Sequence, residues 1–81
     1  MRLYTAFDLY SNNSYLGIID ENGKGVFKRK LANGREGILD TLRPCSEDIV
    51  GIAVESTYNR HWLVDLLMAE GYKVHLKYFN I

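Results

Sequence analysis

The chain has 81 residues, with ten acidic and ten basic side chains and a formal net charge of zero. This length allows one domain at most, which buries only about 60% of the surface that its unfolded chain exposes. An apolar content of 47% argues against disorder. The neutral balance gives no support for a strongly basic nucleic-acid binder, although a local basic patch is present at Lys24, Lys28, Arg29 and Lys30.

The first 31 residues predict three β-strands joined by short turns. Residues 2–9 are mostly apolar and rich in β-prone side chains, and two further strands are expected at Tyr15–Asp20 and Gly25–Leu31. Asn22 and Gly23 indicate a hairpin turn between the last two, because both residues tolerate positive φ. This part of the chain therefore predicts an antiparallel meander.

The pattern then changes to a helical period. Asn33 can cap a helix over residues 35–43, and Pro44 ends it. The apolar side chains that share one face of this helix are Ile38, Leu39 and Leu42. Ile49–Val54 is almost wholly apolar, which predicts a strand covered on both faces.

A second helix is expected over residues 58–70, with Ser56 or Thr57 as its cap and Gly71 just past its end. Its apolar stripe is Trp62, Leu66 and Ala69, with Leu63 and Leu67 beside it. Lys73–Tyr78 alternates in polarity and predicts a half-buried edge strand. The order β-β-β-α-β-α-β predicts a single α/β domain over residues 1–81. It holds a mixed five-stranded sheet, with the last two strands parallel through a right-handed crossover.

Two acidic residues end apolar strands. Asp8 interrupts the first strand and Glu55 follows Ile49–Val54, where a carboxylate is costly to desolvate. If these strands are parallel neighbours, the two carboxylates face one point and could share a Mg²⁺ ion, which prefers oxygen ligands. The structural alternatives are a turn-forming role for Asp8 and a favourable helix-dipole contact for Glu55.

Other reactive side chains give weaker signals. His61 and His75 have no second nitrogen or sulfur ligand at metal spacing, so zinc is not indicated. The single Cys45 has no obvious histidine and acid partners for nucleophilic use. It fits a reducing compartment. Without a signal-type segment or an apolar stretch of about 20 residues, we expect a cytoplasmic protein with no membrane partner.

Several segments together resemble the N-terminal domain of IS110-family transposases. The most specific is Val54-Glu55-Ser56-Thr57-Tyr58-Asn59. The others, in matching order and spacing over nearly the whole chain, are Phe7–Tyr15, Ile19–Lys24, Trp62–Asp65 and Gly71–Leu76. The resemblance implies a RuvC-like, RNase H-type fold with four acidic residues that use Mg²⁺ to cut and rejoin DNA.

Carried over residue by residue, the resemblance places the first two acids, as catalytic and metal-binding residues, on Asp8 and Glu55. The other two acids of the family lie after the fifth strand, so the resemblance implies a truncated RNase H-like half-domain that is inactive alone and binds Mg²⁺ weakly or not at all. DNA is the implied partner, and a guide RNA is a further candidate partner of the full-length family. Bare sheet surface also predicts a homodimer.

Two other classes fit parts of the pattern. Actin-like and sugar-kinase-like ATPases also begin with a three-strand meander and a first-strand aspartate. Their first turn typically offers glycine to phosphates, whereas Ser11-Asn12-Asn13 has none. A non-catalytic interaction module that pairs through the edge strand Lys73–Tyr78 is the third hypothesis.

Overall fold

A computed structural model describes residues 1–55 and 61–77. The strands are β1 (Leu3–Leu9), β2 (Asn13–Asp20), β3 (Gly25–Ala32), β4 (Ile49–Glu55) and β5 (Val74–Lys77). The helices are α1 (Arg35–Leu42), a 3-10 helix (Arg43–Asp48) and α2 (His61–Ala69). These elements confirm the predicted α/β class and the mixed five-stranded sheet with helices. The predicted cap at Ser56 or Thr57, the predicted start of the second helix at residue 58, and Tyr78 lie outside the described residues.

The five strands form one sheet in the order β3-β2-β1-β4-β5. β1, β2 and β3 pair antiparallel, while β4 runs parallel to both β1 and β5. The predicted hairpin turn is confirmed, because Gly23 has a φ of 81°. The carboxylate of Asp20 accepts hydrogen bonds from the backbone N–H groups of Asn22 and Lys24, each at 2.9 Å, and these bonds fix the turn.

The core lies on one face of the sheet. Alternate side chains of β1 from Leu3 to Leu9 are buried, as a strand with one covered face requires. Both helices contribute to the same apolar cluster, so they lie on that face. The cluster is Leu3, Phe7, Leu9, Leu16, Ile18, Leu31, Ile38, Leu42, Ile52, Val54, Leu63 and Leu67. In the described part of the chain, no helix is long and apolar enough to cross a membrane.

The opposite face of the sheet is open, which contradicts the prediction for β4. Ile52 and Val54 are buried, but Gly51 and Ala53 remain half-buried, as do the first two residues of the strand. The apolar run had predicted cover on both faces. Within residues 1–55 and 61–77 both helices pack on the same side, so only alternate residues of β4 reach the core.

The helix boundaries differ from the prediction in two places. Gly34, not Asn33, is the N-cap of α1, and it makes no side-chain capping hydrogen bond. The prediction for Asn33 is wrong because its side chain serves the β1–β2 turn instead. α1 ends at Leu42, and Pro44 lies in the first turn of the following 3-10 helix, where its missing N–H is harmless.

In α2 the fully buried side chains are Leu63 and Leu67. The apolar stripe predicted for this helix faces the core only in part, because Trp62 and Leu66 are half-buried and Ala69 is exposed. Gly71 has a φ of 89° just past the helix, as predicted for a residue that ends it. The N–H of Tyr72 then donates to the Leu67 carbonyl at 3.1 Å, closing the last turn.

Candidate metal centre

The two acidic residues singled out in the sequence are neighbours in the sheet. β1 and β4 pair in parallel at its centre, and Asp8 is the register partner of Glu55. Neighbouring strands lie about 4.8 Å apart, so the two backbones hold the carboxylates at one end of the strand pair. The predicted adjacency of Asp8 and Glu55 is therefore confirmed.

Both acids lie on the open face of the sheet. Phe7 and Leu9 are buried against the helices, and strand alternation places Asp8 between them on the other side. Asp8 and Glu55 are half-buried. The sequence suggested a high desolvation cost for these carboxylates, and the open face lowers it because water still reaches both.

Tyr10 is the closest described polar partner of the pair. Its hydroxyl donates a hydrogen bond to Oδ2 of Asp8 at 2.9 Å. This bond, followed by the negative charge of Asp8, raises the pKa of Tyr10 above its ordinary value. This contact was not predicted from the sequence. The available signal was the spacing, because residues two apart in an extended chain share a face.

A hydrogen-bond network holds the β1–β2 turn beside the acids. The N–H of Tyr10 donates to the Asn13 carbonyl at 2.8 Å. From the end of β3, Asn33 donates through Nδ2 to the Tyr10 carbonyl at 2.8 Å and accepts from the buried Ser14 hydroxyl at 2.6 Å. Asn33 is therefore a positioning residue, since it anchors the backbone that carries Tyr10.

The other candidate ligands do not join the pair. Among the described residues, no three histidine, cysteine, aspartate or glutamate side chains are close enough together to hold one metal ion. His75 lies on β5, where it is the register partner of Ala53 on β4, and His61 is the first residue of α2. Cys45 is half-buried in the 3-10 helix, and its burial raises the pKa of its thiol.

The donor set suits a hard divalent cation. Mg²⁺ is commonly held by one or two carboxylates, with water and phosphate oxygens completing its shell. Asp8 and Glu55 supply such a pair, and their partial exposure leaves room for the remaining oxygens. No nitrogen or sulfur donor is grouped with them among the described residues, so the chemistry of the set favours Mg²⁺ or Mn²⁺ over zinc.

The acid pair does not line the main concave region of the described chain. A cavity of about 430 Å³ lies at the other end of β4, where it is bordered by Arg43, Ile49 and Tyr72. Small-molecule sites are usually concave. This cavity and the acid pair are therefore separate features of the described chain.

Comparisons with known proteins identify the fold alone. No protein-family model matches the chain, and no curated protein matches it either. Among solved structures, the chain is similar to the Argonaute of Marinitoga piezophila, solved in complex with a 5' OH guide RNA, with a TM-score of 0.55 and 13% identity. The match covers 95% of this chain and 16% of the Argonaute chain. This chain thus spans a small part of the length of that protein and has a similar α/β arrangement.

Proposed function

We propose that this chain is the N-terminal part of an RNase H-like catalytic domain of the IS110-transposase type, acting on nucleic acid through a divalent metal ion. The observation that carries the proposal is the parallel pairing of Asp8 with Glu55 on the two central strands. Its partners would be DNA and, in the full-length protein, a guide RNA. A reducing, cytoplasmic setting suits the single cysteine.

Two further observations support the proposal. The segment resemblance places the first two acids of that family on Asp8 and Glu55. The fold similarity is to a protein solved with a guide RNA, which is compatible with a nucleic-acid partner for this chain. The half-buried carboxylates on the open face also remain accessible to solvent.

Asp8 and Glu55 would hold the metal through their carboxylate oxygens. A bound Mg²⁺ supplies activation of a water or hydroxyl and charge stabilisation of the leaving oxygen in phosphodiester chemistry. Tyr10 orients Asp8 by donating to Oδ2, which leaves its other oxygen available. Two carboxylates make an incomplete cage, so we expect weak metal binding and no strand cleavage without further acidic ligands.

A paramagnetic titration tests the shared ligation. Mn²⁺ added to the ¹⁵N-labelled chain should broaden amide signals first at the ends of β1 and β4, around Asp8 and Glu55. The variants Asp8→Asn and Glu55→Gln should each weaken the broadening. Glu21→Gln is the matched control, because Glu21 is an exposed acid at the β2–β3 turn and should leave the broadening unchanged.

If the broadening is unchanged in both Asp8→Asn and Glu55→Gln, the proposed metal site is refuted. Broadening that needs Asp8 but not Glu55 would also refute it, because the proposal requires both strands to contribute. Cleavage of DNA by the chain alone would contradict the expected inactivity, although not the identity of the ligands.

A further inference from the structure

The acid pair is one part of a row that crosses the open face. In the register of the sheet, Lys30 pairs with Tyr15, Tyr15 pairs with Asp8, and Asp8 pairs with Glu55. Register partners share a face, so these four side chains lie side by side from the β3 edge to the centre. The row therefore connects a cation and an aromatic ring directly with the candidate metal centre.

The aromatic part of the row is exposed and already contacts its neighbours. Nζ of Lys30 lies 5.9 Å from the centroid of the Tyr15 ring, within the range of a cation–π contact. The ring of Tyr10 meets that of Tyr15 edge to face, with centroids 5.7 Å apart. Tyr10 and Tyr15 remain 48% and 43% exposed, so a base that stacks on Tyr15 would displace the mobile ammonium group of Lys30 toward the neighbouring phosphate.

The neighbouring row of register partners consists mostly of residues with small side chains. Lys28 pairs with Gly17, Gly17 pairs with Ala6, and Ala6 pairs with Ala53. A Cβ atom at Gly17 would meet no other atom within 4 Å, which shows that the space above this row is open. The exposed Lys28 thus borders a shallow trough that runs beside the aromatic row.

We propose that Tyr10, Tyr15, Lys28 and Lys30 bind single-stranded nucleic acid and lead it across the open face toward Asp8 and Glu55. The inference rests on the proposed function only for its choice of nucleic acid as ligand. Exposed aromatic rings on a flat sheet stack unpaired bases, and neighbouring lysines neutralise the phosphates between them. A duplex offers no free base face to Tyr15, so the surface fits a single strand.

The charges on the open face determine where the nucleic acid binds first. Without a metal ion, Asp8 and Glu55 repel phosphate, so the strand should first engage the lysine side of the face. A divalent cation at the acids would remove that repulsion. Binding at Lys28 and Lys30 should therefore be measurable without metal, which separates it from the chemistry at the acids.

The experiment is fluorescence anisotropy with labelled dT20 and U20 in EDTA at low salt. Replacing both Lys28 and Lys30 by Gln should weaken binding. It should also reduce the slope of log K against log salt concentration by about 1.4, because each lost phosphate contact lowers that slope by about 0.7. Tyr15→Leu should weaken binding about tenfold, in line with the loss of one stacked base. Arg29→Gln is the matched control, because Arg29 is exposed on the same strand but pairs with the inward-facing Leu16.

The two oligonucleotides distinguish DNA from RNA as the preferred strand. A loss of binding free energy in Arg29→Gln that is half or more of the loss in the double lysine variant would overturn the inference, since binding would then follow charge and not this face. Undetectable binding of both oligonucleotides, tighter binding of a 20-base-pair duplex, or displacement by an acidic peptide at equal charge would also overturn it. None of these results affects the Mn²⁺ titration, so failure of this surface and failure of the metal site remain distinguishable.

Discussion

Replacing Thr5 by valine should stabilise the fold. Thr5 lies in the middle of β1 on the helix-packed face and is only 3% exposed. Its hydroxyl Oγ1 is buried and has no hydrogen-bond partner among the described residues. Its register partners are Ile18 on β2 and Ile52 on β4, so apolar side chains surround it on both sides. The hydroxyl has therefore lost its water without gaining a partner.

The size of the effect follows from this environment. An unsatisfied buried polar group costs about 1–3 kcal/mol. Valine has nearly the same shape as threonine and the same preference for strands, so Thr5→Val removes the cost and leaves the packing intact. We expect a gain of about 1–2 kcal/mol in the free energy of unfolding. At about 4–8 °C per kcal/mol for a domain of this size, the melting temperature should rise by at least about 4 °C.

Urea unfolding followed by the fluorescence of Trp62 measures the gain, because the chain has one tryptophan and it packs against the core. If the free energy of unfolding falls by about 1 kcal/mol for each molar of urea, the urea concentration at the unfolding midpoint should rise by about 1–2 M. Thr41→Val is the matched control. Its hydroxyl donates to the Gly37 carbonyl at 2.7 Å, so the same substitution there should bring no gain. A lower midpoint for Thr5→Val would refute the reasoning and would show that Oγ1 is hydrogen-bonded in solution.

Three further predictions concern the site and its surroundings. Asp8→Asn should lower the pKa of Tyr10 toward its ordinary value of 10.0, because both the charge and the carboxylate acceptor disappear, and a ¹³C titration of the tyrosine rings measures it. Asn33→Ala should destabilise the fold by about 1–2 kcal/mol in urea unfolding, because the buried Ser14 hydroxyl loses its acceptor, while Asn12→Ala in the exposed turn should cost less. Sedimentation should reveal a concentration-dependent homodimer that pairs through an edge strand, since β3 and β5 lie at the two edges of the sheet, and a clean monomer at high concentration would contradict this.

The sequence predicts the positions of the acids better than their environment. Asp8 and Glu55 each stand at the end of an apolar run, and β1 and β4 can be parallel neighbours. The predicted helical crossover fixes only β4 and β5 as parallel, so the pairing of β1 with β4 follows from the sheet order. The exposure of the two acids could not be predicted, because the apolar run of β4 is equally consistent with cover on one face or on two. Periodicity shows which residues share a face, but not which face the helices choose.

Asn33 shows a second limit of sequence reasoning. An asparagine just before a helix favours a cap, and local spacing gives no sign that this one is used elsewhere. Its partners are Ser14, 19 residues away, and Tyr10, 23 residues away. These contacts exist only because β3 pairs with β2 in a particular register. Side chains that join distant segments therefore become visible only when the sheet is known.

The adjacency of Asp8 and Glu55 is itself an argument for function. Like charges on neighbouring strands repel each other, and across the strand spacing of about 4.8 Å the repulsion is about 1 kcal/mol even in water. Tyr10 donates a hydrogen bond to Asp8, and Glu55 is the register partner of Lys77 on β5. Both acids lie on the open face, away from the apolar cluster that the helices cover. Packing in the core therefore gives no reason for two acids at these positions, and a divalent cation held between them would turn their repulsion into attraction.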